Sequence, residues 1–158
     1  MSMLISARGS LATWIATLGG VGRVGRAPGT VASALSIVPA YLIARYLGGS
    51  VLFLAIFAAV AIGTWASDVY AREIGSDDPS ECVVDELAGQ WLACALAPLS
   101  LSGYLFAFLA FRLFDIVKPW PVSAAERLGG GAGIMCDDLL AGLFAGLIVA
   151  VAAAVGLG

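Results

Sequence analysis

Histidine is absent from this 158-residue sequence. Its absence excludes phosphohistidine chemistry, serine–histidine catalytic triads and metal sites built on imidazole. Any metal must then be held mainly by oxygen ligands, which favours Mg²⁺, Ca²⁺ or Mn²⁺. The three cysteines, Cys82, Cys94 and Cys136, are isolated and form no C-x-x-C pair. We therefore interpret them as small buried side chains.

Charge is also scarce. Charged residues make up 12% of the chain, against about 25% in a typical soluble domain. The sequence is 61% hydrophobic with a mean hydropathy of +0.99, which predicts a protein surrounded by membrane lipids. It has a net charge of −3, a single lysine and no basic tract, so we exclude nucleic acid as a partner. The length suits one domain over residues 1–158.

Five apolar runs predict an all-α, polytopic membrane protein with about four to five membrane helices. The runs are residues 31–47, 51–66, 87–97, 104–117 and 139–157. Several are shorter than the ~20 residues of a usual span, so we expect flanking polar residues to extend them. Residues 79–97, for example, read as one helix capped by Asp78 with Pro79 in its first turn. Residues 1–20 predict a short interfacial or re-entrant helix that is retained.

The charges predict the orientation. With a cytoplasmic N-terminus and five crossings, seven of the eight cations fall inside, Arg8 among them, and only Arg45 falls outside. This asymmetry follows the positive-inside rule. All eleven acids fall on the same side. A concentration of charge on one face predicts a site at the cytoplasmic surface of a multi-pass protein.

The densest group of acids lies in DDPSECVVDELAGQ, residues 77–90. On one helix, Asp78, Glu81 and Asp85 would share a face, and Glu86 would lie inside the apolar segment. A capped, solvated helix start accounts for the first acids of the group. It does not account for Asp85 and Glu86, because ionisable groups at such depth are costly and usually functional.

A second group lies in FRLFDIVKPWP, residues 111–121, where a helix is expected to end at Pro119. Arg112, Asp115 and Lys118 are spaced i, i+3, i+6. They predict either a metal-binding carboxylate flanked by two phosphate-binding cations, or an ordinary cationic helix end with an internal salt bridge.

The third group lies in GGGAGIMCDDLLAG, residues 129–142. Its glycines are a weak signal for a phosphate-binding loop. Asp137 and Asp138 would then begin a helix, where the helix dipole alone could explain them. The segment resembles DELAG at 85–89, and small residues let helices approach closely. We therefore expect the two acid pairs to face each other across a shared metal.

The fourth group lies in GRVGRAPGTVASAL, residues 22–35. Arg23 and Arg26 precede a Pro-Gly turn, and Thr30 predicts the N-cap of the next helix. The segment is either a basic cytoplasmic loop or a loop that approaches phosphate with arginines and helix N–H groups. Carboxylates for Mg²⁺ and cations for a phosphoryl group are together the usual equipment of phosphoryl transfer.

The segments RAPGT, DPSECVVDELAGQW, FRLFDIVKPWP and GIMCDDLLAG, in this order, resemble the bacterial phosphatidylglycerophosphatase A family. The resemblance covers residues 19–146 and implies a Mg²⁺-dependent phosphatase of the bacterial inner membrane. Such enzymes hydrolyse phosphatidylglycerophosphate to phosphatidylglycerol and phosphate. The family's motif positions correspond here to Pro28, Gly29, Thr30, Asp78, Glu81, Asp85, Glu86, Asp115, Lys118, Pro119, Asp137 and Asp138.

On this basis we assign expected roles. The expected catalytic residues are Asp85, Glu86, Asp115, Lys118 and Asp138. The expected metal ligands are Glu81, Asp85, Glu86, Asp115, Asp137 and Asp138. The expected substrate-binding residues are Arg23, Arg26, Thr30 and Arg112. Water is favoured as the nucleophile over a carboxylate, because no D-x-D-x-[TV] signature occurs.

Three other functions were weighed. A small Mg²⁺ or proton-coupled transporter would use intramembrane carboxylates, but acids on one face disfavour a path across the membrane. Other lipid phosphoryl enzymes need histidine or a D-x-x-D-G-x-x-A-R run, and both are absent. A purely structural subunit leaves Glu86 and Asp115 unexplained. The sequence leaves the oligomeric state and the number of metal ions open.

Overall fold

The structure is a computed structural model that describes residues 10–156, and within them it contains helices and no strand. This confirms the all-α class. Residues 1–9, with Arg8 and the first part of the predicted N-terminal helix, lie outside the described residues, as do residues 157–158. Short 3₁₀ turns lie at Val21–Arg23 and Glu126–Leu128. The helices are α1 (Leu11–Ala16), α2 (Pro28–Tyr46), α3 (Gly49–Ile74), α4 (Val84–Leu96), α5 (Leu101–Val117), α6 (Val122–Ala125) and α7 (Gly130–Ala154).

Helix α4 lies at the centre and packs against α2, α3, α5 and, most extensively, α7. Two glycines set the distance between α4 and α7. A Cβ added to Gly142 would lie 2.2 Å from the carbonyl oxygen of Gly89, and one added to Gly89 would lie 2.5 Å from that of Asp138. The backbones therefore touch at this crossing, as small residues allow between apolar helices.

Two helices, α3 and α7, are long and apolar enough to cross a membrane. Large apolar side chains such as Leu54, Phe57 and Ile116 are exposed, which fits a membrane protein. In the described part of the chain no other helix meets that standard of length and apolarity; α2, α5 and α4 have 19, 17 and 13 residues. The number of four to five membrane helices therefore stays a prediction.

The start of α4 differs from the prediction. The helix begins at Val84 and not at Pro79. The N–H of Val83 donates to the carbonyl of Ala16 in α1 at 2.8 Å, and the N–H of Cys82 donates to the carbonyl of Pro79 at 2.8 Å. These bonds hold residues 79–83 out of the helix, so the predicted shared helical face of Asp78, Glu81 and Asp85 was wrong.

The start of α7 also differs. The helix begins at Gly130, so Asp137 and Asp138 lie well inside it and the helix-dipole explanation does not apply. The glycines serve helix packing: a Cβ on Gly131 would lie 2.1 Å from the carbonyl oxygen of Thr64 in α3. The N–H of Gly131 donates to Asp68 at 3.3 Å. The predicted glycine loop before the aspartates was therefore wrong.

Of the other two predicted helix boundaries, the start of α2 was wrong and the end of α5 is confirmed. Helix α2 begins at Pro28 with Ala27 as its N-cap, so Thr30 lies inside the helix and the predicted cap was wrong. Helix α5 ends as predicted. Lys118 is its C-cap in the left-handed region at φ +46°, and its N–H donates to Phe114 before Pro119 continues the chain.

Candidate active site

A cavity of about 260 Å³ opens where the starts of α2 and α4 meet the first turns of α7 and the end of α5. We call it the acid cavity. Residues 27–30 form one wall, and Ser80 and Cys82 form part of another. Two cations, Arg112 and Lys118, line it. So do six carboxylates, those of Asp78, Asp85, Glu86, Asp115, Asp137 and Asp138.

Three of these acids form a tight group that we call the carboxylate cluster. Asp85, Glu86 and Asp138 each offer an oxygen, and these oxygens lie within 4.8 Å of one another. Asp85 Oδ1, Glu86 Oε2 and Asp138 Oδ2 are buried and have no hydrogen-bond partner among the described residues. Buried charge without a partner is costly. These three oxygens could together hold a metal ion.

The glycine crossing explains why the cluster forms. Asp85 and Asp138 each lie four residues before a crossing glycine, Gly89 and Gly142. Residues four apart lie on the same helical face, so the crossing that brings the two backbones together also brings the carboxylates of Asp85 and Asp138 close to each other. The start of α2 closes the cluster from another side, because a Cβ on Gly29 would lie 2.0 Å from Glu86 Oε1. The structure thus brings the two acid pairs together, as the sequence predicted.

Arg112 is held by α5 and α2 together. Its Nη1 lies 2.6 Å from Asp115 Oδ2 and donates to Ser33 Oγ at 3.3 Å. The Ser33 hydroxyl donates in turn to the carbonyl of Gly29 at 2.8 Å. The Nε of Arg112 is buried without a partner in the described part of the chain. Sequence reasoning missed Ser33 as the support of this arginine, since nothing in the sequence places it opposite α5.

Lys118 contacts the acids of the cavity rim. Its Nζ donates to Asp137 Oδ2 at 2.7 Å and to Glu126 Oε1 at 3.2 Å. Burial lowers the pKa of Lys118, but its bonds to these two acids outweigh burial and leave that pKa above its ordinary value. Asp137 Oδ1 accepts from the N–H of Asp138 at 3.0 Å. Asp137, a predicted metal ligand, therefore lines the cavity with both oxygens engaged and lies beside the cluster.

Asp78 lies outside the helices and lines the acid cavity. Burial raises its pKa above the ordinary value, and the nearby Lys118 offsets this only partly. The charges of Glu126 and Asp115 raise it further.

Glu81 lies elsewhere. It lines a second cavity of about 490 Å³ with Arg23, Arg26, Pro28, Ser80 and two glycines, which we call the arginine cavity. Glu81 Oε2 accepts from Arg23 Nε at 2.9 Å and from the Tyr70 hydroxyl at 2.7 Å. The structure therefore does not bring Glu81 to the carboxylate cluster where it was predicted to bind metal. That prediction assumed a helix from residue 79.

The fold and the site define an apolar helical protein with carboxylates and cations around one cavity, which is the equipment of phosphoryl transfer without histidine. The sequence model of the phosphatidylglycerophosphatase A family matches residues 14–153. The chain belongs to this family, and it is a phosphatase that acts on a phosphate monoester.

Curated relatives agree with this membership. The chain is 32% identical to phosphatidylglycerophosphatase A of Escherichia coli, over 73% of this chain and 68% of the relative. It is 33% identical to phosphatidylglycerophosphatase A of Haemophilus influenzae, over 82% and 81%. It is also 36% identical to a protein of Bacteroides thetaiotaomicron described as a putative phosphatidylinositol-3-phosphatase, over 80% and 83%. No solved structure matches the chain.

Proposed function

We propose that this protein hydrolyses the terminal phosphate monoester of phosphatidylglycerophosphate to phosphatidylglycerol and inorganic phosphate, with Mg²⁺ as cofactor. The observation that carries the proposal is the carboxylate cluster: Asp85, Glu86 and Asp138 each keep a buried oxygen without a partner beside Arg112 and Lys118. Family membership supports the phosphatase reaction over the transporter considered from the sequence.

The acid cavity suits a divalent cation. The ligand atoms that the carboxylate cluster offers are all oxygens, which is the ligand set that Mg²⁺ prefers. Six carboxylates face two cationic side chains, so a phosphate dianion would be repelled unless further positive charge entered with it. When bound, Mg²⁺ would neutralise charge on the phosphoryl oxygens and lower the pKa of a water at the site. Asp85, Glu86 and Asp138 are the residues that would hold it.

The remaining residues would position the phosphate. Arg112, fixed by Asp115 and Ser33, and Lys118 would bind its oxygens as charge-assisted donors. The start of α2, with Gly29 and Thr30 in the cavity wall, would add helix N–H groups that favour an anion. We keep water as the proposed nucleophile. A single turnover in ¹⁸O-water should place the label in phosphate, and unlabelled phosphate would contradict this.

We also propose that the protein is a multi-pass protein of the bacterial inner membrane with the acid cavity at the cytoplasmic face. The order of the helices supports this: α2, α4 and α7 begin at the cavity, and α5 ends there. Among the described cations, only Arg45 lies at the opposite end of the protein from the acid cavity, in the last turn of α2. Cysteine labelling in vesicles tests the orientation: the Asp77→Cys variant should react at that position only from the cytoplasmic side.

The reaction is tested by phosphate release from phosphatidylglycerophosphate in detergent micelles, with Mg²⁺ or with EDTA, for wild type and Asp115→Asn. We expect release that needs Mg²⁺ and falls at least about 100-fold in the variant, because Arg112 loses its charged partner. Asp77→Asn is the matched control, since this exposed acid lies outside both cavities. Wild type that is folded but inactive with or without Mg²⁺ would refute the proposal.

A parallel assay with phosphatidylinositol 3-phosphate separates the two substrate classes in the names of the relatives. Both lipids carry one phosphodiester and one terminal monoester, and they differ in the group between the phosphates. We expect a higher kcat/KM for phosphatidylglycerophosphate. The opposite order would keep the phosphatase chemistry and replace the proposed substrate.

A further inference from the structure

The arginine cavity adjoins the acid cavity and differs from it in charge. The two cavities share Pro28 and Ser80 in their walls, so they lie side by side. The acid cavity has six carboxylates and two cations. The arginine cavity has Arg23 and Arg26 against the single carboxylate of Glu81. The charged side chains of the arginine cavity therefore carry a net positive charge, which favours an anion without a metal.

The two arginines are not equivalent. Arg23 forms an ion pair with Glu81, whose carboxylate is also bonded to Tyr70, so much of its charge is already neutralised. Arg26 forms no ion pair with any described residue, and its side chain is exposed at the cavity. Arg26 is thus the cation that is available to a ligand.

The part of the cavity wall that carries Arg23 is closely packed. A Cβ added to Gly22 would lie 1.8 Å from the carbonyl oxygen of Glu81, so the 3₁₀ turn Val21–Arg23 presses directly on the backbone of the loop before α4. This contact holds the backbones that carry Arg23 and Glu81 together, and Arg26 lines the same cavity with its side chain exposed. The cavity is therefore a formed feature of the fold.

From this we infer that the arginine cavity binds the phosphodiester of the lipid, the phosphate that is not cleaved, mainly through Arg26, while the monoester occupies the acid cavity. The inference rests on the proposed function. The enzyme would then recognise two phosphates at a set separation, with Pro28 and Ser80 between them. Arg26 would act as a specificity-determining residue that contributes to binding and not to bond cleavage.

Kinetics of Arg26→Gln provide the first test. We expect the KM for phosphatidylglycerophosphate to rise about five- to tenfold, the loss of one charge-assisted contact at an exposed site, with kcat changed less than twofold. Arg26→Lys should recover part of this loss, because it keeps the charge. Arg127→Gln is the matched control: it removes the same charge from an exposed position outside both cavities. Equal effects of Arg26→Gln and Arg127→Gln, or a fall in kcat alone, would overturn the inference.

A binding measurement separates this inference from the reaction. Dihexanoyl phosphatidylglycerol carries the diester and no monoester, so the arginine cavity should bind it in EDTA. Calorimetry should show affinity at least about fivefold weaker for Arg26→Gln and within about twofold of wild type for Arg127→Gln. If all three proteins bind alike, the inference fails even where phosphate release succeeds. If wild type releases no phosphate but this pattern holds, the proposed reaction fails and the diester site stands.

Discussion

The two acid pairs of this protein look alike in sequence and differ in structure. Asp85–Glu86 and Asp137–Asp138 each precede leucine, alanine and a glycine at the α4–α7 crossing. Both members of the first pair keep a buried oxygen without a partner in the described structure, whereas only Asp138 of the second pair does. Asp137 is bonded to Lys118 and to the backbone of Asp138.

This difference separates two uses of a buried carboxylate. Asp137 already has a protein cation, so its charge is compensated within the fold. Asp85, Glu86 and Asp138 form no ion pair with a described cation, so an added cation would stabilise their ionised forms. Of two neighbouring aspartates in one helix, Asp137 therefore stabilises the fold, and Asp138 is the proposed metal ligand.

The largest effect is expected from Asp138→Asn, compared with Asp137→Asn. Losing a cluster oxygen should lower kcat/KM about 100- to 1,000-fold. Asp137→Asn should cost only about tenfold, because no cluster oxygen is lost and the amide oxygen can keep one of the two bonds, from Lys118 or from the Asp138 N–H. Mg²⁺ should raise the Tm of wild type and Asp137→Asn but not of Asp138→Asn. Equal losses of activity and of the Mg²⁺-dependent Tm shift would remove the distinction between the two aspartates.

A moderate effect is expected from Gly142→Ala, which adds a methyl group where α4 and α7 cross and bring the two acid pairs together. The new methyl group would lie 2.2 Å from the Gly89 carbonyl oxygen, so α4 and α7 must separate at a cost of about 1–3 kcal/mol in the free energy of unfolding. Activity should fall with it, because the carboxylate cluster widens. Thermal unfolding and phosphate release measure the two effects.

Gly49→Ala is the control for this change, since a Cβ there meets no atom within 4 Å. It should leave activity intact and change stability by less than about 1 kcal/mol. If Gly142→Ala is as stable and active as Gly49→Ala, the close contact of α4 and α7 does not determine the geometry of the carboxylate cluster.

The smallest effect concerns pH and Asp78. Its pKa is raised by burial in the folded protein, so the ionised form is less favourable there than in the unfolded chain. The folded state therefore loses stability relative to Asp78→Asn as pH rises through that raised pKa. In EDTA, the Tm of Asp78→Asn minus that of wild type should grow as the pH rises above about 4, the ordinary range of an aspartate pKa. Asp77→Asn, at the neighbour that lies outside both cavities, is the control, and a difference that shrinks with pH would contradict the sign.

Much of this arrangement was predictable from the sequence. Scarce charge and long apolar runs predicted helices, and the repeated acid-acid-leucine pattern followed by glycine predicted that Asp85 and Asp138 would meet. These signals are local: each depends on residues within one or two helical turns. The end of α5 at Lys118 was predictable for the same reason, since Pro119 blocks further helix.

The remaining features depend on partners distant in sequence. Pro79 and Asp78 form a good local helix start, but the bond from Val83 to Ala16 in α1 holds that segment out of the helix. The same contact turns Glu81 away from the acids and toward Arg23 and Tyr70. Ser33 supports Arg112 only because α2 and α5 meet there. Local pattern could not reveal any of these contacts.

The distribution of charge also bears on how the chain is made. Under the proposed topology, the connections at the end remote from the acid cavity are residues 47–48 and 97–100, and they carry no charge. Only Arg45 among the described charged residues would have to be translocated, and its long side chain can reach the interface. The α2–α3 and α4–α5 pairs could thus enter the bilayer as hairpins led by uncharged turns, with the carboxylates remaining on the side of synthesis throughout.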